Sequence, residues 1–487
     1  MGLFRLCWLD VAPSKQTIEV IEVLTGGFLT VRSDRSRPRG RSLFLITLLF
    51  IGGWIGLRIA YVSPFIASYD IANFTLAVTD YDLADLRPHF PGYPFFILFA
   101  NLFLPLLIPV KALGLVSTLG LASALLPLYW FFRRHAYDTT RLIAAFTVLS
   151  TASLVTFAAT GMSDGLALGL LVWYGWSIER ARHQIRRWLP YLLFGLLMAT
   201  RLSYAPFGFM LLVLLWQVRK DYWQLLSESA ILVLAQLAWL LPVAFSVGGP
   251  YSFLQLSLRF VSGHFSDWGG SAQTDDASIL QRFVQTLQQL FWHGIGYGTW
   301  IGLVSGLLLF LRKRWTVDVS WGATAGLYFV WVWLGQNIDK PRHVLPLVLL
   351  LLIWLIRQLP LQMYLPFLVV QLTIGSLALN EQATRPPATI ELARYVATLP
   401  IGATVFTDEE ARQFQSERPD AAIVPIGSIS KWNAEPKSDQ SYVTGRLLER
   451  LHAQGVRPNV KQVVRFTSDT RYEPEDAQAI LYQLTAP

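Results

Sequence analysis

Long apolar segments alternate with short polar connections along most of the chain. An apolar run of about 18 or more residues is long enough to cross the hydrocarbon core of a bilayer as an α-helix. The pattern therefore predicts eleven transmembrane helices. They lie near residues 43–62, 112–132, 142–160, 164–179, 188–200, 204–218, 225–247, 295–311, 319–336, 343–359 and 363–380. The two short segments on either side of Arg201 leave one bent helix as an alternative to two spans.

The basic residues between these segments predict the orientation of the chain. Arginine and lysine concentrate in alternate connections, for example at 32–41, 133–141, 180–187 and 312–314. Because cytoplasmic connections carry an excess of these residues, we place the basic connections in the cytoplasm and the intervening ones outside. We therefore expect an integral protein of the plasma (inner) membrane, with a cytoplasmic amino terminus and an extracytoplasmic carboxyl-terminal segment.

Residues 94–110 are apolar enough to span the membrane, but the pattern favours a different placement. Counting them as a span would reverse the sidedness of every later basic cluster. Pro105 and Pro109 also argue against a regular membrane-spanning helix. We expect this segment to form a helix that lies at the outer interface, beneath the loop that precedes it.

Three regions follow from the pattern. Residues 1–42 are expected to form a cytoplasmic extension, 43–380 the transmembrane domain and 381–487 a small extracytoplasmic α/β domain, since charged residues become common there. In the last region, strands are predicted at 403–407, 422–426 and 461–466, and helices at 389–398, 444–453 and 474–484. The expected fold class is thus an all-α polytopic membrane protein with a small carboxyl-terminal α/β domain.

The composition excludes an ordinary soluble protein. Of the 487 residues, 53% are hydrophobic and 15% are charged, whereas soluble proteins carry about 25% charged residues. The net charge of +8 does not indicate binding to nucleic acid, because the basic residues form short clusters between apolar runs. We therefore expect no nucleic-acid partner.

The loop at 61–94 is the strongest candidate for a functional site. Ionisable residues that cluster at a bilayer face indicate function by default. Asp70 follows the first span, and its carboxylate suits a general base acting on a hydroxyl, or a ligand of a divalent cation. The alternative is that Asp70 caps the helix that follows it.

Other residues of the same loop are weaker candidates. Asp80, Asp82 and Asp85 are interpreted as solvated or capping residues, with a metal or acceptor contact as the alternative. His89 is either a hydrogen-bonded turn residue or a phosphate contact. Tyr93, in the Pro-Gly-Tyr-Pro corner, offers a ring or a hydroxyl to a substrate.

Charged residues from later connections are expected on the same membrane face. Asp164 either caps the helix that follows it or converges with Asp70 on a shared cation, although two ligands do not define a metal site. Arg201 lies between apolar stretches and needs an anionic partner, either a structural carboxylate or a lipid phosphate. Arg342 and His343 begin a late span, where arginine suits phosphate but also snorkels for structural reasons.

With these motifs in order, the chain resembles the GT-C superfamily of polytopic glycosyltransferases. The nearest likeness is to bacterial relatives of protein O-mannosyltransferases and lipid A aminoarabinose transferases. The likeness rests on SYDIANFTLA, RPHFPGYPFFI, MSDGLALGLLV and KPRHVLPLVLLL, within residues 43–205 and 335–355. Two positions depart from the family pattern: His343 stands where tyrosine is common, and His-Phe-Pro at 89–91 replaces the commoner His-Pro-Pro.

The resemblance implies an inverting enzyme that takes a sugar from a polyprenyl-phosphate donor at the outer membrane face. It implies that Asp70 is the general base or a metal ligand, and that Asp164 orients the acceptor or shares a divalent cation. Arg201, Arg342 and His343 would bind the donor phosphate. The acceptor is left open as a protein, a lipid or a polysaccharide.

Three other functions stay open on the sequence. A transporter or flippase would place ionisable groups near mid-membrane and often show repeated halves, whereas most charges here lie in the outer loops and no repeat is visible. A surface-glycan polymerase or ligase would act on the same lipid-linked sugars. An inactive scaffold would bind partners through its outer domain.

Overall fold

The structure is a computed structural model. It describes residues 38–267, 269–296, 318–400, 402–408, 410–417, 422–468 and 477–485, together with the single positions 304, 308 and 311. The predicted span at 295–311 and the predicted extension at 1–42 lie almost wholly outside this described part.

Helices form the amino-terminal region. In the described part they are, in chain order, α1 (Pro38–Ala60), α2 (Tyr69–Thr79), α3 (Pro94–Asn101), α4 (Pro109–Ser123), α5 (Leu125–Phe131), α6 (Asp138–Leu149), α7 (Ala152–Ala158), α8 (Asp164–Arg182), α9 (Leu189–Thr200), α10 (Phe209–Gln217), α11 (Tyr222–Ser246), α12 (Pro250–Ser266), α13 (Ile279–Gln288), α14 (Val319–Gly335), α15 (Leu345–Gln358) and α16 (Leu361–Thr384). Shorter 3₁₀ or π segments stand at Leu202–Gly208, Gln289–Gly294 and Pro341–Val344.

Five helical segments of the described part are long and apolar enough to cross a membrane, so the chain is an integral membrane protein. They are Arg41–Ala60, Pro109–Phe131, Tyr222–Ser246, Pro341–Gln358 and Leu361–Val396. A sixth crossing results if α6 and α7, which meet at a bend of 64°, are counted together. The predicted count of eleven is not confirmed. The predicted spans at 188–200 and 204–218 are shorter apolar helices, separated by an extended Arg201.

The apolar segment 94–110 does not form a span. Its helix, α3, has eight residues and is followed by turns. Leu98 and Leu106 are exposed, whereas Phe96 packs edge-on against Phe74 of α2. One face of α3 thus contacts the preceding loop and the other is exposed, and its interfacial placement stays a prediction.

Close packing between α4 and α8 builds the centre of the bundle, where α8 is buried along most of its length. A Cβ added at Gly169 would lie 2.0 Å from the backbone oxygen of Gly120, and one at Gly165 would lie 2.5 Å from that of Ser117. Small residues allow such close helix contact within a membrane, where van der Waals packing drives association. This contact fixes the position of Asp164, the first residue of α8.

The carboxyl-terminal region is an α/β domain, as predicted. Its elements are α17 (Ala388–Val396), β1 (Thr404–Thr407), α18 (Ala411–Glu417), β2 (Ala422–Pro425), α19 (Ile429–Ala434), β3 (Ser441–Thr444), α20 (Gly445–Ala453), β4 (Val460–Thr467) and β5 (Gln478–Leu484). The strand order is β2-β1-β3-β5-β4. Strand β1 pairs in parallel with β2 and β3, and β5 pairs antiparallel with β3 and β4. One apolar cluster contains Val405 and a second contains its neighbour Phe406, so both sheet faces are covered.

One predicted element of this domain is wrong. The helix predicted at 474–484 is strand β5 from Gln478 onwards, and β3 was not predicted. Ala479, Leu481 and Leu484 of β5 are buried, and the strand is paired along both edges. Pairing with distant strands therefore overrides the local helical pattern.

The packing of α4 on α8 gives a first prediction. Gly169→Ala places a methyl group against a helix backbone that cannot move aside, so we expect about 1–3 kcal/mol of destabilisation. Gly326→Ala is the matched control, because a Cβ at that helical position meets nothing within 4 Å. Thermal unfolding of the detergent-purified variants measures both effects. Equal melting temperatures for the two variants would contradict the close contact.

Candidate active site at the loop end of the bundle

The loop 61–94 lies at one end of the bundle, called here the loop end, and α2 is its main element. Ser68 is the N-cap of this helix, and its side-chain oxygen accepts a hydrogen bond from the Ile71 N–H at 3.4 Å. The suggestion that Asp70 caps the helix is therefore wrong. Ile71 and Phe74 bury one face of α2, and the Asp70 carboxylate is left for contacts outside its own helix.

Asp70 forms an ion pair with Arg342. The Arg342 Nη2 donates to the Asp70 Oδ2 at 2.6 Å, and the arginine side chain is only 7% exposed. The other carboxylate oxygen lies 3.7 Å from the Nδ1 of His89. The His89 Nε2 is hydrogen-bonded to the Tyr93 hydroxyl at 3.0 Å. Four predicted site residues thus lie together in one polar cluster.

The charges in this cluster set the protonation states of Asp70 and His89 at neutral pH. Burial by itself raises the pKa of Asp70, but it is outweighed by His89, when that ring is protonated, and by Arg342 and Lys340. The pKa of Asp70 is therefore well below its usual range. Burial and the nearby cations also lower the pKa of His89, although Asp70 opposes them. At pH 7 the aspartate is ionised and the histidine is neutral.

Asp164 forms a second ion pair at the same end. It is fully buried at the start of α8, and its Oδ2 accepts a hydrogen bond from the Arg201 Nη1 at 3.1 Å. The same nitrogen donates to the Ser163 hydroxyl at 3.3 Å. The sequence left two possible anionic partners for Arg201, a structural carboxylate or a lipid phosphate. In the structure the partner is the Asp164 carboxylate. Since Asp164 stands within the first turn, the alternative that it caps α8 is wrong.

The charges of both ion pairs act on Tyr93. Burial raises the pKa of the Tyr93 hydroxyl to about 12, and the charges of Arg201, Asp70, Arg342 and Asp164 all act on it. Each carboxylate is held by its own guanidinium, and a direct approach of Asp70 to Asp164 stays a prediction.

Two tyrosines join this site without having been predicted. The Arg201 guanidinium lies 6.0 Å from the ring centre of Tyr204, which packs 5.8 Å from the ring of Tyr328. The Tyr328 hydroxyl donates to the backbone oxygen of His343 at 3.0 Å. Tyr204 follows Arg201 by three residues and offered a weak sequence signal. Tyr328 lies inside an apolar span and offered none.

Several buried polar atoms of the cluster have no hydrogen-bond partner within the described part of the chain. They are the Asp164 Oδ1, the Arg201 Nε, the Tyr204 hydroxyl and the His343 Nδ1. Most buried polar groups in proteins are hydrogen-bonded, and leaving one unsatisfied costs about 1–3 kcal/mol. The arrangement is thus one that a polar ligand or ordered water would complete.

The three acidic residues of the loop tip belong to a different arrangement. Arg87 pairs with Asp80 and lies 3.5 Å from Asp82 and 2.9 Å from Asp85. Asp80 is well exposed and contacts Arg87 rather than the ion-pair cluster. The structure therefore does not bring Asp80 together with the other predicted site residues.

The carboxylates do not form a metal site by themselves. No group of three His, Cys, Asp or Glu side chains that could hold a metal ion occurs among the described residues. Asp70 and Asp164 each bind a guanidinium instead, so the pair supplies two ligands at most. A divalent cation stays a prediction, and the two carboxylates alone offer too few ligands to hold one.

A cavity is lined in part by residues that adjoin the cluster in the chain. Its volume is about 580 Å³, and its lining is almost entirely apolar. The lining includes Phe90 and Leu202, the immediate neighbours of His89 and Arg201, together with side chains of α9, α10 and α11. An apolar cavity with charged groups at its edge suits an amphipathic ligand with a charged head.

Arg282 anchors the segment that leads to Arg342. This side chain is fully buried and pairs with Asp275. It also donates to the backbone oxygens of Trp333 at 3.1 Å and Gln336 at 2.8 Å. The end of α14 and the turn that precedes Arg342 are thereby held in place.

No protein-family model and no curated protein matches the chain. Among solved structures, it is similar to ArnT from Cupriavidus metallidurans bound to undecaprenyl phosphate, with a TM-score of 0.54 and 12% identity over 90% of this chain and 98% of that one. The apo state of the same protein gives a TM-score of 0.52 at 12% identity, over 89% and 97% of the two chains. At this identity the likeness shows the fold alone, and a fold like that of ArnT agrees with the one expected from the motifs.

The buried ion pair gives a second prediction. Asp164→Asn leaves the Arg201 charge buried without its counter-ion, so we expect a loss of about 3–5 kcal/mol. The double variant Asp164→Asn with Arg201→Gln should recover part of this loss. Asp80→Asn, in an exposed ion pair, should change stability by less than about 1 kcal/mol. Thermal unfolding of the purified variants tests this order, and a fully stable Asp164→Asn protein would contradict it.

Proposed function

We propose that this chain is an integral-membrane glycosyltransferase that moves a sugar from a polyprenyl-phosphate donor to an acceptor hydroxyl, with inversion. The observation that carries the proposal is the presence of two carboxylate–guanidinium pairs at the loop end, one of them at Arg201, the chain neighbour of Leu202, which lines the apolar cavity. The cavity suits an isoprenoid chain, and the guanidinium groups suit a phosphate. The shared fold with ArnT, which was solved with undecaprenyl phosphate bound, supports the same ligand class.

The donor phosphate would bind where Arg342 and Arg201 present their guanidinium groups. Each of these side chains already holds a carboxylate, so the phosphate competes for them. When Arg342 turns towards the phosphate, Asp70 loses part of the positive charge that keeps its pKa low. The pKa of Asp70 then rises towards its ordinary value, which makes the carboxylate a better base.

The transfer step follows from these positions. Asp70 accepts the proton of the acceptor hydroxyl while the hydroxyl oxygen forms a bond to the anomeric carbon. The bond between that carbon and the phosphate oxygen breaks, and its electron pair leaves with the polyprenyl phosphate. Arg342 and Arg201 stabilise the negative charge that develops on the leaving phosphate. Attack from the face opposite the phosphate inverts the anomeric centre.

His89 and Tyr93 support the base in this proposal. His89 is neutral at pH 7, lies next to the Asp70 carboxylate and is hydrogen-bonded to the Tyr93 hydroxyl. Asp164 keeps Arg201 at the site, and His343 offers a ring nitrogen without a hydrogen-bond partner in the described part of the chain.

The proposal is tested in the host by comparing envelope glycans and lipid-linked sugars. Wild type, a deletion strain, Asp70→Asn and Asp80→Asn are compared at matched protein levels. Asp70→Asn should reproduce the deletion, with one glycan lost and its lipid-linked donor accumulated. Asp80→Asn should match wild type, because its carboxylate only pairs with Arg87 at the surface. A normal glycan profile in Asp70→Asn would overturn the catalytic role and favour transport or scaffolding.

We also propose that the loop end faces outwards and the basic connections face the cytoplasm. Cysteines at Ala84 and Ser430, both exposed, should react with a membrane-impermeant maleimide in intact cells when Cys7 is replaced by serine. A cysteine at the exposed Gln184 should react only after the membrane is opened. The reverse labelling pattern would place the site in the cytoplasm.

A further inference from the structure

The carboxyl-terminal α/β domain contacts the candidate site through one arginine. Helix α18 of this domain packs against α2, the helix that carries Asp70. Arg412 is the second residue of α18, and its side chain is largely buried in this contact. No local feature of the sequence marks it.

The Arg412 guanidinium joins two separate segments. Its Nη1 donates to the Asn73 Oδ1 at 2.5 Å and to the Leu86 backbone oxygen at 3.2 Å. Its Nη2 donates to the Asp85 backbone oxygen at 2.5 Å and to the Asp85 Oδ1 at 3.3 Å. The guanidinium also lies 5.9 Å from the ring centre of Tyr69.

On the helix side, these contacts flank Asp70. Tyr69 precedes it, and Asn73 follows it by three residues, which is about one helical turn. Asn73 is fully buried. Helix α2 has only 11 residues, and isolated helices of that length are marginal in water, so tertiary contacts must hold it in place.

On the loop side, the contacts lie just before His89. Asp85 and Leu86 belong to the loop tip that leads into His89, and the His89 ring lies beside the Asp70 carboxylate. The contact between His89 and Asp70 therefore joins the same two segments that Arg412 joins. A guanidinium suits this task, because its donors point in fixed directions within one plane.

We propose that Arg412 is a positioning residue, which holds Asp70 in register with His89 and Arg342 and makes the carboxyl-terminal domain part of the catalytic frame. This inference rests on the proposed function. Loss of the contact leaves the donor-binding arginines in place but lets α2 and the loop tip move apart. A misplacement of about 1 Å at a reacting group can lower the rate roughly 100-fold.

The test compares Arg412→Ala and Arg412→Lys with Arg465→Ala. Arg465 is the control, because it is an exposed arginine of the same domain whose side chain bonds to Gln478 within the sheet. Hydrogen exchange on the purified full-length proteins should be faster in α2 and residues 80–87 of Arg412→Ala. Exchange in β1 and β3 should be unchanged. Arg465→Ala should match wild type throughout.

Function is read out in two separate ways. Binding of undecaprenyl phosphate to purified Arg412→Ala should stay within about twofold of wild type, since Arg342 and Arg201 are retained. The glycan product in the host should fall by roughly 10- to 100-fold. The amount of product from Arg412→Lys should lie between those of wild type and Arg412→Ala, because an ammonium group keeps the charge but lacks the planar fork. A merely structural role would lower binding and product together.

Asn73→Ala keeps the proposal testable if Arg412→Ala does not fold. This variant removes one acceptor on α2 and leaves the sheet domain intact, and it should speed exchange in α2 and lower the product in the same direction as expected for Arg412→Ala. Unchanged exchange in α2, or unchanged product at matched protein levels, would overturn the proposal. Failure of the proposed function is seen separately, as a normal glycan profile in Asp70→Asn alongside faster exchange in Arg412→Ala.

Discussion

Charge placed inside a membrane bundle has to be paired, and the arrangement of the site depends on this constraint. An unpaired buried carboxylate or guanidinium is strongly destabilising, because it has lost its water without gaining a partner. The fully buried Asp164 is therefore held by Arg201, and the nearly buried Arg342 is held by Asp70. Each pair joins segments that are far apart in the chain, so the charges also fix where α2, α8 and the start of α15 meet.

Two further arginines keep these pairs in register from outside. Arg282 ties α13 to the end of α14, just before the turn that leads to Arg342, and Arg412 ties α2 to the tip of the first loop. Each donates to two or more backbone oxygens, whose positions are set by the fold itself. A site built in this way is supported on both sides by rigid elements, as precise binding of a charged group requires.

The same pairing connects stability to the proposed chemistry. In the resting site each arginine satisfies a carboxylate, yet polar atoms of Asp164, Arg201 and Tyr204 have no hydrogen-bond partner among the described residues. A phosphate at the edge of the apolar cavity would share the guanidinium groups and change the charge around Asp70. Binding of the donor and activation of the base would then be one event, with no separate switch.

The sequence by itself determined the membrane class, the absence of a long helix at 94–110, the small α/β domain and most of the charged residues at the site, because apolar run length and ionisable residues are local properties. It did not determine how many helices cross the membrane, and it assigned a helix to the segment that forms β5. Only the tertiary structure decided that Asp164 pairs with Arg201, that Asp80 belongs to Arg87, and that Arg412 reaches Asn73. Such partners are separated by stretches of chain whose path depends on packing, so no local pattern contains them.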